Sequence, residues 1–483
     1  MTEEIFYFDS AITEYEKTRI SHWDSVAINI QKWQQAGKYY HRRLSEIYSN
    51  MIYPGSKILE IGSGDGNLLA SIESDTKTGI DFSSEMINLA KRNHPQVTFI
   101  NANADNFQLN ESYDYIILSD ILNDVWDVQA VLNRVKKHAQ PNTRIIINTY
   151  NRLWEIPLAL IRKLGLSKPN LDQNWLTVAD ISNLLELTGF EVIRTTQEIL
   201  FPVNIPIITK FLNQFLVRVW PLNHLALTNF IIARLKPNIF EIKSQAKVSV
   251  IVPARNEEGN IDEIIMRTPE MGTGTEIVFV EGHSTDNTLD AIKKSIAKYP
   301  NKNISVFTQT GKGKGDAVRL GFSKASGDVL MILDADLTVP PEDLPKFYNA
   351  LINGTGEFIN GVRLVYPMED EAMRFFNLLG NKFFSYAFSW LLGQPIKDTL
   401  CGTKVLWKKD YKRIAANRLV FGDFDPFGDF DLIFGAARLS FKIVDLPIHY
   451  RARKYGSTNI QRWRHGFLLL KMVVFAARKL KFI

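Results

Sequence analysis

Two long stretches of the chain alternate short apolar runs with helix-like segments. In the first stretch, from residue 57 to about 234, the apolar runs are 57–61, 78–80, 97–100, 115–118 and 144–148. In the second, which begins at residue 247, the strand-like runs are 247–252, 276–280, 304–308 and 329–333, and helix-like segments lie between them at 261–267, 288–299 and 316–325. Such alternation is typical of a parallel sheet with helices on both faces. The pattern therefore predicts an α/β protein with two domains.

The limits of these stretches predict the domain boundaries. Residues 1 to about 50 are polar with aromatic interruptions such as Trp23 and Tyr40, which predicts a helical cap on the first domain. Residues 237–246 contain a proline, several polar residues and no strong hydrophobic period, as expected of a linker. The first domain is therefore predicted at 1–236 and the second at 247–483. At 483 residues the chain is too long for one ordinary hydrophobic core, which also favours two domains.

Composition narrows the classes of partner and the expected compartment. The 57 basic and 52 acidic residues give a net charge of +5, an excess too small and too dispersed to indicate nucleic-acid binding. Phosphate-bearing small molecules or an anionic membrane surface fit this charge better. The single cysteine, Cys401, cannot form an intrachain disulfide, which favours the cytoplasm. No secretory signal is expected at the N-terminus, and no apolar stretch reaches the roughly 20 uncharged residues of a membrane span.

The first segment with chemical content is a strand that leads directly into a glycine-rich turn, ILEIGSGDGN at 58–67. Glycines let the backbone approach a ligand closely and supply donors at a helix N-terminus. The spacing is G-x-G-x-G, with Asn67 in place of the later glycine of a dinucleotide-binding turn, which weighs against NAD. Fifteen residues after Gly66, a second strand ends at Asp81, whose carboxylate could accept both hydroxyls of a ribose.

Together these features resemble the class I S-adenosylmethionine-dependent methyltransferases over about residues 55–195. The resemblance implies a Rossmann-like sheet with S-adenosyl-L-methionine as cofactor. It places cofactor contacts at Glu60, Gly62, Gly64, Gly66, Asp81, either Asn103 or Asp105 beside the adenine, and Asp120 near the methyl group. Asp120 and Tyr150 are candidate bases for the methyl acceptor by position only. A domain that binds the cofactor without catalysis is the alternative.

Four segments in the second half follow one another in a chemically suggestive order. They are VSVIVPARNEE at 248–258, VEGHSTDNT at 280–288, GKGKGD at 311–316 and LDAD at 333–336. Asp334 and Asp336, one residue apart at a strand end, can bind a hard divalent cation through oxygen. Mg²⁺ or Mn²⁺ there would bridge a diphosphate and neutralise the charge on a departing nucleoside diphosphate.

In this order the segments resemble the inverting family 2 glycosyltransferases with a GT-A fold, over about residues 247–462. The likeness is closest to the branch that makes dolichyl- or polyprenyl-phosphate sugars. It implies a UDP- or GDP-sugar donor, with metal and diphosphate binding by Asp334 and Asp336 and further nucleotide-sugar contacts at Pro253, Arg255, Glu257, Glu281 and Asp316. Family members often have two acids where this chain has Glu281-Gly282, a departure that concerns base and ribose recognition.

Later segments carry candidates for the acceptor side. Arg363, Arg374 and Arg453 are expected to hold donor or acceptor phosphates, because a planar guanidinium can bind phosphate through two hydrogen bonds. For Arg374 an ordinary surface position is an equal alternative. Asp429 and Asp431 lie where the family often places an acceptor-side acid, and one of them would be the general base for a hydroxyl acceptor. A lipid phosphate is already an anion and needs no base.

Three segments are unusually apolar: 201–233, 383–396 and 467–477, the last of which has a basic end. The last fits a helix in a membrane interface, with core packing or domain docking as an equal alternative. The sequence thus predicts a bifunctional transferase that acts on a lipid-phosphate or glycan acceptor, in the cytoplasm or peripherally on the cytoplasmic face of a membrane. The alternative is a glycosyltransferase with a non-catalytic ligand-binding or scaffold module at its N-terminus.

Overall fold

The fold was analysed in a computed structural model, which describes residues 2–33, 37–237, 245–363, 375–418, 428, 430–451, 453, 455 and 462–482. The chain divides into two compact units, with the boundary between Lys236 and Pro237. Each unit contains one seven-stranded mixed sheet with helices around it. The predicted α/β class is therefore confirmed.

The N-terminal unit has the strand order β3-β2-β1-β4-β5-β7-β6. Its strands are β1 (Lys57–Ile61), β2 (Thr76–Asp81), β3 (Thr98–Asn101), β4 (Tyr113–Ser119), β5 (Ala139–Tyr150), β6 (Phe190–Glu198) and β7 (Thr228–Leu235). Its α-helices are α1 (Thr2–Ile28), α2 (Lys38–Met51), α3 (Asn67–Ser71), α4 (Ser84–Asn93), α5 (Val128–Lys136), α6 (Glu155–Lys163), α7 (Val178–Leu187) and α8 (Ile208–Gln214).

The N-terminal sheet departs from the prediction in its last two strands: β6 and β7 were not among the predicted runs, and β7 is antiparallel to its neighbours. β1 to β5 pair in parallel, as expected, but β7 pairs antiparallel with both β5 and β6. The chain returns after β6 and inserts β7 between its neighbours. The parallel strands are continuously apolar because both faces are covered. Ile58 packs in the cluster on one face and Leu59 in the cluster on the other.

The C-terminal unit has the strand order β10-β9-β8-β11-β13-β12-β14. Its strands are β8 (Val248–Ala254), β9 (Thr275–Glu281), β10 (Asn303–Thr308), β11 (Val329–Ile332), β12 (Phe358–Val362), β13 (Lys404–Trp407) and β14 (Ile443–Pro447). Its α-helices are α9 (Ile261–Arg267), α10 (Thr288–Lys298), α11 (Lys314–Lys324), α12 (Leu344–Ile352), α13 (Phe375–Leu392), α14 (Lys408–Ala416), α15 (Phe430–Arg438) and α16 (Arg462–Ala476).

In this second sheet β13 is the antiparallel strand, paired with β11 on one side and β12 on the other. The remaining pairs are parallel, so the ends of β8, β9 and β11 meet at one edge. Cys401 is buried in the core of this unit. Among the helices that the structure describes, none is long and apolar enough to cross a bilayer.

Candidate functional sites

The glycine-rich turn after β1 is anchored to the end of β2. The amide of Gly62 donates to the carbonyl of Ile80 at 2.8 Å, and the amide of Gly64 donates to Oδ2 of Asp81 at 2.9 Å. Gly62, Gly64 and Gly66 have φ values of 75°, 51° and 76°, which glycine adopts without strain. A Cβ at Gly64 would meet no atom within 4 Å. The backbone at Gly64 therefore borders open space that a ligand can enter.

Asp81, predicted to hold a ribose, has structural partners in the turn. Its Oδ2 accepts from Gly64, and its Oδ1 accepts from the amide of Ser83 at 2.9 Å. Burial raises the pKa of Asp81 to about 6, although both amides act in the opposite direction. Each carboxylate oxygen can accept a second hydrogen bond. Asp81 can therefore position the turn and still accept a ligand hydroxyl.

Glu60 is buried behind the same turn. Burial raises its pKa well above the usual value, and the charges of Asp65 and Asp81 raise it further. Its Oε2 has no hydrogen-bond partner among the described residues. Buried polar atoms are rarely left unpaired. A ligand ammonium or N–H group would satisfy this oxygen, which agrees with the predicted methionine side of the site.

A pocket beside the turn encloses about 520 Å³, part of it open to solvent. The sheet edge lines it with Asn103 and Asp105, both predicted for adenine, and also with Phe82, Ala104 and Ile121. Helix α1 forms another wall through Tyr15, Glu16, Arg19 and Ile20. The sequence predicted a helical cap but assigned none of its residues to the site. The one sequence signal for this wall was the presence of aromatic side chains in an otherwise polar segment.

Specific polar contacts hold α1 on the sheet edge. Arg19 Nε donates to Asp124 Oδ1 at 3.0 Å, and Trp23 Nε1 donates to Asp124 Oδ2 at 2.9 Å. Asn103 Nδ2 donates to Glu16 Oε1 at 2.7 Å, while its own Oδ1 accepts from the next amide. Asn103 thus links the pocket floor to α1.

Asp120 lies at the end of β4 within a cluster of hydroxyl and amide donors. Tyr40 donates to its Oδ2 at 2.8 Å, Asn148 Nδ2 donates to its Oδ1 at 2.7 Å, and Tyr150 bonds to the same carboxylate. Its φ is 54°, a conformation uncommon outside glycine and frequent at functional sites. Burial raises the pKa of Asp120 to about 7, against the two tyrosines. A carboxylate in this range can take up a proton near neutral pH. Sequence reasoning missed Tyr40 and Asn148, which have no motif of their own.

In the C-terminal unit, Asp334 is in contact with an ammonium group. Lys314 Nζ, in the first turn of α11, lies 2.7 Å from Asp334 Oδ1. Burial opposes ionisation, but Lys314 and more distant cations outweigh it and hold the pKa of Asp334 below its usual value. A Cβ at Gly402 would lie 2.0 Å from Asp334 Oδ2, so only glycine fits there. Asp334 is therefore an anion held between a lysine and a tight backbone contact.

Arg453 donates hydrogen bonds to two residues for which the sequence predicted different roles. Its Nη2 donates to Asp336 Oδ2 at 2.8 Å, and its Nη1 donates to Glu257 Oε1 at 3.2 Å. Thr338 Oγ1 donates to Asp336 Oδ1 at 2.7 Å, and Asn260 Nδ2 donates to Glu257 Oε2 at 2.8 Å. Burial raises the pKa of Glu257, while Arg453 opposes this. The structure thus brings together predicted nucleotide, metal and phosphate residues.

The other predicted nucleotide residues lie at the ends of β8 and β9 and at the start of α11. Ala254 pairs in register with Glu281, so Pro253 and Arg255 lie beside the end of β9. Glu281 is buried and accepts from the amide of Ser284 at 2.5 Å. Asp316 accepts from the amide of Gly311 at 3.0 Å. Both acids therefore brace loops at this edge of the sheet.

Arg363 has a carboxylate partner where the resemblance implied a phosphate. Its Nε and Nη2 donate to the two oxygens of Asp398 at 2.7 and 2.9 Å, and its amide donates to the same carboxylate. The Asp398 side chain is only 2% exposed. This geometry supports a structural ion pair, and phosphate binding by Arg363 stays a prediction.

Of the two candidate bases, the structure describes Asp431 alone. Its Oδ2 lies 3.1 Å from Arg418 Nε and 3.9 Å from Arg319 Nη1. Asp429, and the candidate phosphate residue Arg374, lie outside the described residues. Asp431 is thus engaged with two guanidinium groups.

No group of three or more acidic, histidine or cysteine side chains in the described part of the chain is arranged to bind a metal ion. Asp334 and Asp336 supply oxygen donors of the type that Mg²⁺ and Mn²⁺ prefer. Such a pair fits a divalent cation when diphosphate oxygens complete the coordination. The donor set therefore suits a metal that binds together with a nucleotide.

Comparisons with known proteins divide the chain in the same way. Residues 33–195 match the family model described as "Methyltransferase domain", and residues 249–413 match "Glycosyl transferase family 2". A dolichol-phosphate mannosyltransferase from Pyrococcus furiosus is 32% identical over 235 residues, which are 47% of this chain and 64% of that protein. The chain therefore spans less than two thirds of the length of this curated relative.

Two solved structures illustrate the likeness of each part. A possible histamine N-methyltransferase from Thermotoga maritima is 14% identical with a TM-score of 0.35, over 44% of this chain and 98% of its own. Glucosyl-3-phosphoglycerate synthase from Mycobacterium tuberculosis is 19% identical with a TM-score of 0.36, over 50% and 84%. The two family matches confirm the predicted resemblance: residues 33–195 are similar to a methyltransferase domain, and residues 249–413 are similar to glycosyl transferase family 2.

Proposed function

We propose that the chain is a bifunctional transferase. Its N-terminal domain, residues 1–236, would transfer a methyl group from S-adenosyl-L-methionine. Its C-terminal domain, residues 247–483 after a linker at 237–246, would transfer a sugar with inversion from a UDP- or GDP-sugar to a polyprenyl phosphate or related glycan acceptor. A divalent cation, Mg²⁺ or Mn²⁺, would assist the second reaction.

The observation that carries the sugar-transfer proposal is the pairing of each predicted metal-binding carboxylate with a cation. Lys314 contacts Asp334, and Arg453 contacts Asp336. Each carboxylate thus has a basic partner, and both basic groups lie beside the place predicted for a diphosphate. A divalent cation bound to the acids would supply charge neutralisation for the leaving nucleoside diphosphate. Lys314 and Arg453 would then be available to phosphate oxygens.

The lipid-phosphate acceptor is supported by the name of the relative, a dolichol-phosphate mannosyltransferase, and by the surroundings of Asp431. Arg418 and Arg319 form ion pairs with Asp431, so this carboxylate already has two basic partners. An acceptor that is already an anion needs no proton acceptor and suits this arrangement.

Methyl transfer is supported by Asp120 at the end of β4. It combines burial, a pKa near neutrality and hydrogen bonds from Tyr40 and Asn148 that orient its carboxylate. Gly64 in the turn after β1, Glu60 behind it and Asp81 at the end of β2 would hold the cofactor. General-base catalysis at Asp120 would activate a hydroxyl or amine acceptor.

The test uses the purified full chain with a lipid extract as the acceptor source. Methyl-labelled S-adenosylmethionine and sugar-labelled GDP-mannose or UDP-glucose are supplied separately with Mn²⁺, and labelled lipid products are separated. Each label should enter a lipid product. Sugar transfer without methyl transfer, and with no difference between the wild type and Gly64→Arg, would support the non-catalytic alternative for the first domain.

A further inference from the structure

Helix α8 has its polar and apolar sides reversed relative to a helix on a water-exposed surface. Thr209 and Asn213 are each 1% exposed, whereas Ile208 and Phe211 are each 53% exposed. A surface helix of a soluble protein normally buries its apolar stripe and exposes its polar side. The orientation of α8 therefore implies an apolar environment on its outer side.

Hydrogen bonds hold α8 in this orientation. Thr209 Oγ1 donates to the carbonyl of Val203 at 2.6 Å. The Asn213 carboxamide bonds to both backbone groups of Phe201 at 2.8 Å and donates to the Tyr39 hydroxyl at 2.9 Å. Because the buried polar groups are satisfied, the outward apolar side chains are a stable feature of the fold.

Helix α6 and the residues around it present a second apolar stripe. Leu153, Ile156, Leu160 and Leu164 follow one another at spacings of three and four residues, so they share one side, and each is at least 57% exposed. No residue of α6 is fully buried. This helix therefore adds little to the core of the domain.

Hydrogen bonds connect the two segments that carry the stripes. Asn151 Nδ2 donates to the carbonyl of His224 at 2.8 Å, and Trp154 Nε1 donates to the carbonyl of Leu225 at 2.9 Å. These contacts tie the start of α6 to the segment after α8. We define the apolar face as Leu153, Ile156, Leu160, Leu164, Leu166, Val203, Ile205, Ile207, Ile208, Phe211, Phe215, Val219, Trp220 and Leu225.

The exposed apolar side chains of this domain are concentrated on the apolar face and are not scattered over the surface. It contains fourteen of the seventeen exposed large apolar side chains among the described residues up to Lys236. Large exposed apolar patches mark interaction sites on folded proteins. The charged residues around the face indicate which kind of partner binds it.

Charge favours a lipid surface. The segments 151–171 and 199–227 contain six basic residues and one acid, Glu155. One of the six, Arg218, forms a largely buried ion pair with Glu198, which leaves five basic residues for this comparison: Arg152, Arg162, Lys163, Lys168 and Lys210. Trp220, 77% exposed, adds an indole of the kind enriched at membrane interfaces. Apolar side chains with Lys and Arg around them are typical of helices that lie in the headgroup region of anionic membranes.

We propose that the apolar face docks the N-terminal domain on an anionic lipid surface. Tyr150, which bonds to Asp120, lies only a few residues before α6. Docking would therefore bring the end of the sheet that carries Asp120 and Tyr150 close to the membrane. If the proposed methyl transfer holds, its acceptor would be a lipid or a lipid-linked group that reaches the site from the bilayer.

A local fluorescent probe tests the docking. The chain has a single cysteine, Cys401, which is buried, so an introduced surface cysteine can be labelled selectively. Ile207→Cys places an environment-sensitive dye on the apolar face. Lys91→Cys, at an exposed position of α4, is the matched control. With vesicles of phosphatidylcholine and phosphatidylglycerol, the dye at 207 should shift to the blue and brighten several-fold, while the dye at 91 should not change.

Two results would overturn the proposal. The first is an unchanged signal at 207 while the protein still sediments with the vesicles, because contact would then occur elsewhere. The second is a blue shift at 207 that depends on protein concentration without vesicles, which would identify a second copy as the occupant. Adding Ile156→Glu and Phe211→Glu should abolish the vesicle signal with an unchanged melting temperature. Failure of methyl transfer alone would leave vesicle binding intact, so the two proposals fail separately.

Discussion

Lys314 Nζ lies 2.7 Å from Asp334 Oδ1, so an ammonium group contacts a carboxylate that the sequence assigned to a divalent cation. The lysine belongs to the GKGKGD segment, which the sequence placed near the nucleotide. A basic group held at this point neutralises Asp334 when no metal or nucleotide is bound. In the proposed function, the same group would be positioned to contact phosphate oxygens of the nucleotide sugar.

The first prediction concerns Asp336. Asp336→Ala removes one of the two carboxylates and leaves Arg453 with one partner fewer. We expect sugar transfer to fall by about 100-fold or more, since removing one electrostatic stabiliser costs that much in other enzymes. Transfer of labelled sugar is measured for the variant and for Asp290→Ala, an exposed acid on α10. Retained transfer in Asp336→Ala, with S-adenosylmethionine binding intact, would remove the metal-pair assignment.

The second prediction separates ligand contact from folding in the glycine-rich turn. At Gly64 a side chain would enter open space, so Gly64→Arg should cost only about 1–2 kcal/mol of backbone strain but block cofactor binding. At Gly66 a Cβ would lie 2.4 Å from Phe99 Cζ, so Gly66→Ala should lower the melting temperature more strongly. Calorimetric titration with S-adenosylmethionine and thermal unfolding measure the two effects. Unchanged affinity in Gly64→Arg would contradict the site.

The third prediction follows from the raised pKa of Asp120. Burial raises this pKa from 3.8 to about 7, so between these pH values the folded state binds more protons than the unfolded state. The contribution of Asp120 to the free energy of unfolding must then decrease as the pH rises from about 4 to about 7. Asp120→Asn cannot ionise, and its melting temperature should decrease less over the same range. The relevant transition is the one that S-adenosylmethionine shifts upward; equal slopes in both proteins would argue against the raised pKa.

The fourth prediction tests whether Arg363 is structural. Asp398→Ala would leave a buried guanidinium without its bidentate partner, which costs about 3–5 kcal/mol in comparable buried pairs. Thermal unfolding should show a clear loss of stability. The matched control is Asp262→Ala, whose ion pair with Lys298 is exposed and should matter little. If both variants unfold like the wild type, Arg363 is free to act on phosphate.

The fifth prediction concerns the nature of the sugar acceptor. Asp431→Asn should retain transfer to a polyprenyl phosphate within about tenfold, because an anionic acceptor needs no general base. Initial rates with a short-chain polyprenyl phosphate provide the measurement. A loss of about 100-fold or more would instead indicate base catalysis and a hydroxyl acceptor.

The strand-turn units of both domains could be predicted from residues that are close together in the sequence. The β1 turn with its glycines and Asp81 at the end of β2 follow from residues close in sequence, and so do Asp334 and Asp336 after β11. The positions of these residues at strand ends could be predicted because parallel strands require apolar runs, and turns follow such runs directly. Their roles in ligand binding stay predictions. The antiparallel strands β7 and β13 were not predicted, because strand direction depends on how the chain returns to the sheet.

Tertiary structure alone decided which side chains meet. Arg453 and Glu257 are 196 residues apart in sequence, yet Arg453 Nη1 lies 3.2 Å from Glu257 Oε1. Tyr40 donates to Asp120 from a helix for which the sequence predicted only a role as a cap. Asp398 and Arg363 are also distant in sequence and form their ion pair only in the folded chain. The sequence by itself thus determined two α/β domains, the families that they resemble and the strand ends where polar residues lie. The partners of each charged group were set by long-range packing, since a buried charge must find its counter-charge wherever the fold places one.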